Sequence, residues 1–235
     1  MITQRERIPI MRLNLSAAQK VCGYNARTVI LARVLLYGSV VGVGLAGYAE
    51  SAAESTLVIF LGDSLTAGFG ISEEEAFPAL VQEGLTAQGW PGRVVNAGVS
   101  GDTTAGGLSR LDWLLAQEPD VVVVGLGAND GLRGLSLEET RGNLRHIIRQ
   151  CQESNAKVLL LGMKIPPSYG ADYSLGFAAI FPSLADELRV PLVPFLLQGV
   201  AADPALNLPD GIHPNAAGHR RVAENVLPRI KEILD

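Results

Sequence analysis

Four short segments hold residues that together could cleave an acyl bond. Gly62-Asp63-Ser64 follows an apolar run, and Asp210-Gly211-Ile212-His213 lies near the C-terminus. Between them come Asn96-Ala97-Gly98-Val99-Ser100-Gly101-Asp102 and Gly127-Ala128-Asn129-Asp130. A serine hydroxyl is a poor nucleophile until a base removes its proton, so Ser64 needs a histidine and an orienting carboxylate. His213 has one at a useful spacing. Asp210, three residues earlier across a glycine, can fold back onto Nδ1, fix the tautomer and leave Nε2 to take the serine proton. Each residue also has an ordinary reading: Ser64 as the cap of the next helix, and DGIHPN as a helix-entry turn. Of the other two histidines, His146 falls on the polar side of a helix and His219 stands among Gly218, Arg220 and Arg221. Both read as surface residues.

A tetrahedral intermediate also needs donors for its oxyanion. The Ser64 backbone N–H, a backbone N–H in the Gly98–Gly101 turn and the Asn129 side-chain amide are available. Singly, the glycines read as a tight turn and Asn129 as an Asx-type turn. Their chemistry depends on the elements that bring them together. Five apolar runs, Leu57–Leu61, Val94–Val99, Val121–Leu126, Val158–Leu161 and Leu192–Phe195, are nearly continuous, as expected of strands buried on both faces of a parallel sheet. Helical periodicity marks 76–88, 104–117, 137–153, 176–188 and 215–233. In the second of these, Leu108, Leu111, Trp113 and Leu115 form the expected buried stripe. Ser136 with Glu139 predicts a capping box for the third. Pro214-Asn215 predicts the start of the last, which Pro228 should kink or end early. Strand–helix alternation implies one doubly wound α/β sandwich. In such a sheet the four segments above share the carboxyl edge of the strands, where ligands bind.

The chain has 235 residues and a net charge of −5. Residues 1–33 carry six Lys/Arg against one Glu, which leaves the remainder strongly acidic and argues against nucleic acid as a partner. An uncharged run, Val34–Ala49, follows the basic stretch, and then come small residues that include Ala49-Glu50-Ser51 and Ser51-Ala52-Ala53. That order predicts a secretory signal peptide in 1–53, with Met11 as an alternative start and an uncleaved membrane anchor as the rival reading. The expected catalytic domain is 54–235, periplasmic or secreted, or held at the membrane by the segment before it. Loss of the leader removes Cys22 and leaves Cys151, whose helical spacing with Leu144, Ile147 and Ile148 predicts core packing.

The ordered set Gly-Asp-Ser-Leu at 62–65, Gly101, Gly-x-Asn-Asp at 127–130 and Asp210-x-x-His213 resembles the SGNH (GDSL) hydrolase superfamily. Within it, NDGLRG and DGIHPN are similar to the bacterial thioesterase/lysophospholipase/arylesterase group. The resemblance runs from Leu57 to the C-terminus. It implies a three-layer α/β/α sandwich with a flavodoxin-like five-stranded parallel sheet. It also implies Ser64 as nucleophile, Asp210 and His213 as the acid–base pair, and Ser64, Gly101 and Asn129 as oxyanion donors; the choice of Gly101 over Gly98 rests on it. The expected activity is hydrolysis of small acyl esters or lysophospholipids, with thioesters as a further possibility, and without cofactor or metal. Asp63, Ile165, Pro166 and Tyr169 are the expected substrate contacts, the last three from a loop, Met163–Tyr173, that could wall an acyl groove. An acyltransferase or carbohydrate deacetylase using the same residues, and a catalytically silent envelope binding protein, are the alternatives.

Overall fold

Five strands run parallel in the order β2-β1-β3-β4-β5: β1 Leu57–Gly62, β2 Arg93–Gly98, β3 Val121–Gly125, β4 Lys157–Leu161 and β5 Leu192–Val193. The computed structural model describes residues 56–235. The basic leader, the Val34–Ala49 run, Cys22 and both small-residue cleavage motifs lie outside the described residues. The order is the flavodoxin-like one, whose switch point falls between β1 and β3. Every residue of β1 is buried, as are Val121–Val124 of β3. A fully buried aliphatic side chain of this kind stabilises the fold by about 1.5–3 kcal/mol. The second strand lies at the sheet edge and is only half-buried after its exposed Arg93, unlike the two-sided burial its apolar sequence predicts.

Register carries the functional geometry. Gly62 pairs with Gly98 on one side and with Gly125 on the other, so the three strands end side by side. The segments that follow them therefore emerge on one edge. At the opposite flank β5 is cut to two residues because Pro191 and Pro194 bracket it, and proline cannot donate to a strand ladder.

The helices are α1 Ser64–Ala67, α2 Phe77–Thr86, α3 Thr104–Ser109, α4 Leu111–Leu115, α5 Ala128–Leu132, α6 Leu137–Glu153, α7 Ala171–Leu188 and α8 Ala216–Leu234. The second and last pack together, while α6 packs against α3 and α7, which makes two helical layers around the sheet. In α6, Leu144, Ile147, Ile148 and Cys151 are buried and His146 is exposed, as their spacing predicts. Burial pushes the Cys151 thiol up to about 12. Ser136 accepts from the Glu139 N–H at 3.3 Å, but the reciprocal half of the expected box does not form. A complete box forms instead at Ser72 and Glu75.

Three expectations give way. The 104–117 segment is two short helices that meet at Arg110 (φ −111°, ψ 4°), and Trp113 is 71% exposed rather than part of the buried stripe. The last helix runs through Pro228 to Leu234, held by Val226, Ile230 and Ile233 in the core. His219 is buried, not surface: its Nδ1 accepts the Phe77 N–H at 3.1 Å, and its ring stacks on that of Phe77. Desolvation pulls its pKa down to about 4.

Candidate active site

Ser64 is the first residue of α1 and is half-buried. Its position depends on how closely α1 lies against the strand ends. A Cβ on Gly62 would meet Thr66 Oγ1 at 1.9 Å, and one on Gly98 would meet the Ala67 nitrogen at 2.3 Å. Glycine at both positions lets the helix turn directly off the sheet. Asn96 fastens the join, donating from Nδ2 to the Thr66 carbonyl at 2.9 Å. The preceding Asp63 caps α1, its Oδ1 accepting the Leu65 N–H at 3.0 Å. Asp63 is only 1% exposed, so it is a buried cap rather than the expected substrate contact. Burial pushes its carboxyl up to about 7.

His213 comes from the long segment between β5 and α8. That segment is stitched down by a bridge between Asn207 and Pro214 and by the Leu208 N–H bonding to the His213 carbonyl at 2.7 Å. Asn207 Nδ2, itself buried, donates to the carbonyls of Val200 and Asp203. Asn215 caps α8 by accepting the Gly218 N–H at 3.0 Å. Within this frame Asp210 Oδ1 accepts the N–H groups of Ile212 and His213 at 2.9 and 3.0 Å, and Oδ2 lies 2.8 Å from His213 Nδ1. The bond from the His213 N–H, then that from Ile212 and that from the His213 ring, hold the Asp210 carboxyl down at about 2. An ionised carboxylate can only accept, so Nδ1 carries the ring proton and Nε2 is the acceptor. Ser64 Oγ lies 2.9 Å from Nε2. The ordinary reading of Ser64 as a cap gives way, since Asp63 caps α1 and Ser64 is its first residue, while DGIHPN does lead into a helix.

The turn after β2 separates the two glycines that sequence alone leaves equivalent. The Gly98 N–H is spent on Asn96 Oδ1 at 3.0 Å. Gly101 has φ +84°, a left-handed value that favours glycine, and its N–H has no acceptor among the described residues. Asn129 donates from Nδ2 to the Asp102 carbonyl at 2.9 Å and faces Asp63 Oδ2 at a long 3.4 Å, which leaves its second hydrogen weakly engaged. Buried Asp130 accepts from the backbone N–H and hydroxyl of Thr104, binding the start of α5 to that of α3.

The loop after β4 is more divided than expected. Ile165 is buried beneath Gly131, where an added Cβ would meet its Cγ2 at 2.6 Å; it belongs to the core and is not a groove wall. Pro166 and Tyr169 are exposed, and the Tyr169 hydroxyl donates to the Leu132 carbonyl at 3.1 Å. Phe69 escaped sequence reasoning. It stands between two glycines of positive φ, Gly68 and Gly70, and its ring lies 4.6 Å from that of His213. An aromatic residue five positions after the serine, in a Gly-x-Gly turn, is the signal that could have marked it.

A parallel sheet of this order, with serine, histidine and aspartate hydrogen-bonded at its switch point, defines a class of acyl hydrolase. The GDSL-like Lipase/Acylhydrolase family matches residues 60–221. Esterase TesA of Pseudomonas aeruginosa is 43% identical over 186 residues, covering 79% of this chain and 92% of that protein. Thioesterase 1/protease 1/lysophospholipase L1 of Escherichia coli K12 is 41% identical over 189 residues, covering 79% and 88%. A crystal structure of TesA superposes with a TM-score of 0.73 at 43% identity, covering 76% of this chain and 99% of that one. The chain belongs to the GDSL-like lipase/acylhydrolase family of SGNH hydrolases and is a carboxylic ester hydrolase.

Proposed function

We propose that Ser64 is the nucleophile of a two-step acyl transfer in which His213 is the general base and Asp210 its orienting partner. The observation that carries this reading is the unbroken hydrogen-bonded chain from Ser64 Oγ through the His213 ring to Asp210, at 2.9 and 2.8 Å. His213 Nε2 takes the serine proton as Oγ bonds to the acyl carbon. The N–H groups of Ser64 and Gly101 and the Asn129 amide hold the oxyanion. The intermediate then collapses, the leaving alcohol takes its proton from His213, and a water repeats the sequence to release the acid. The Phe69 ring, tilted at 41° with its centroid 4.6 Å from that of His213, favours the imidazolium formed on the way.

The substrates proposed are small acyl esters and lysophospholipids, with thioesters accepted as well; the names of the two relatives support that range. Pro166 and Tyr169, exposed on the loop after β4, form one wall for the acyl chain. The leader supports export to the periplasm or beyond, with cleavage after the apolar run. N-terminal sequencing of protein recovered outside the cytoplasm tests this, and material retaining Val34–Ala49 would contradict cleavage. For the chemistry, Ser64→Ala is expected to lose turnover of short p-nitrophenyl esters and all labelling by a fluorophosphonate while keeping the wild-type melting curve. Comparable turnover in that variant would refute the nucleophile assignment.

A further inference from the structure

The break between α3 and α4 places the Arg110 guanidinium behind the site. Its Nε donates to Asp102 Oδ2 at 2.7 Å and its Nη2 to the Gly62 carbonyl at 3.0 Å. Both side chains are largely withdrawn from water, at 22% and 14% exposure. The two acceptors belong to the segments that carry the oxyanion donors. Gly62 precedes Asp63-Ser64, and its carbonyl also accepts the Val99 N–H at 3.0 Å. Asp102 follows Gly101; its N–H returns to the Val99 carbonyl at 3.0 Å, and its own carbonyl accepts Asn129 Nδ2 at 2.9 Å. Arg110 thus joins the ends of β1 and β2 directly and reaches Asn129 through the Asp102 carbonyl, beside the bond from Arg133 Nη2 to the Gly101 carbonyl at 2.8 Å.

We infer that Arg110 is the positioning residue that sets the three oxyanion donors relative to one another, an inference that rests on the reading of Ser64 as nucleophile. The donors stabilise developing charge only if they are in place beforehand. The turn bearing Gly101 is exposed, so its distance from Ser64 depends on what ties it down. Arginine suits the task because its rigid fork reaches a carboxylate and a carbonyl at once; a lysine ammonium beside Asp102 cannot span both in that geometry. The kink at Arg110 that splits the predicted helix is what turns the side chain back toward the strand ends.

A purely structural staple would change stability and leave each folded molecule fully active. Arg110→Met is therefore assayed on p-nitrophenyl butyrate beside Ser64→Ala and Val226→Ala, a core truncation under α8 that serves as a destabilised control. For Arg110→Met, kcat is expected to fall about 10- to 100-fold with KM within about twofold, the scale of an ångström-sized misplacement. An alkyl boronic acid, which forms a tetrahedral adduct on the serine, should lose affinity in the same proportion. Arg110→Lys keeps the charge beside Asp102 and is expected to lose about 5- to 10-fold in kcat; it carries the test if Arg110→Met does not fold. Wild-type kcat and boronate affinity per folded molecule, or losses no larger than those of Val226→Ala, would overturn the inference. Activity in Ser64→Ala would instead overturn the nucleophile reading, so the two failures are distinct.

Discussion

Asp210 draws its character from what it accepts. Two backbone N–H groups and the His213 ring converge on a carboxylate whose side chain is 37% exposed. These bonds, rather than burial, keep it ionised at any pH well above about 2. The acid limb of kcat/KM should then carry no step from Asp210 at any pH well above about 2. Asp210→Asn would offer Nδ1 an amide that can hold the wrong tautomer, so kcat should fall by about 10³–10⁴ with KM little changed. Steady-state assays from acid to neutral pH check both points; an acid ionisation that disappears in Asp210→Asn would contradict the first. Asp63, buried in the core, shows the opposite balance. It makes one good cap bond inside the core, and desolvation dominates it.

Glycines decide the site at the level of elements, and two of them fail differently. Gly98→Ala puts a methyl group into the backbone of α1, so α1 must lift from β2. Both melting temperature and kcat should drop. Gly101→Ala has open space around the new Cβ, with only Arg133 Nη2 at 3.6 Å. Its cost is that of holding alanine at positive φ, about 1–2 kcal/mol, with a disproportionate loss of kcat if the turn relaxes and the N–H turns away. Thermal melts with parallel kinetics separate the two, and an unchanged kcat in Gly101→Ala would remove it from the oxyanion set. Most strands were legible to within a residue or two because buried parallel strands announce themselves as apolar runs. So were the segments at their ends. What the sequence hid depends on distant partners. The break at Arg110 goes with its bonds to Asp102 and to Gly62, the latter distant in the chain, and Trp113 lies outside the core beyond it. His219 lies among charged neighbours yet buries because Phe77, far away in the chain, supplies both a donor and a ring. Pro228 fails to end α8 because the apolar face on either side of it stays packed.

Two buried titratable groups, Asp63 and His219, push the stability of the fold in opposite directions as the pH changes. Between about pH 4 and 6.5 the unfolded chain protonates His219 while the folded state does not, so raising the pH stabilises the fold. Between about pH 4 and 7 the folded state retains a proton on Asp63 that the unfolded chain has lost, so raising the pH destabilises it. The two contributions are opposite in sign and partly offset each other in wild type over their shared window. His219→Gln leaves Asp63 unopposed, and its unfolding free energy should fall as pH rises. Asp63→Asn, which can still cap α1, should do the reverse. Urea unfolding at half-unit pH steps measures this; parallel profiles for wild type and both variants would refute it.

Ser64 and His213 meet across 149 residues of sequence, and His213 directly precedes the final helix, which seats the segment that holds it. A ribosome has made all five strands of the sheet before it reaches His213, the proposed base. Until α8 leaves the exit tunnel and docks, the segment that brings His213 to Ser64 lacks the helix that seats it. On the proposed mechanism hydrolysis waits for that docking, and a copy truncated before α8, although it keeps His213, should be inactive.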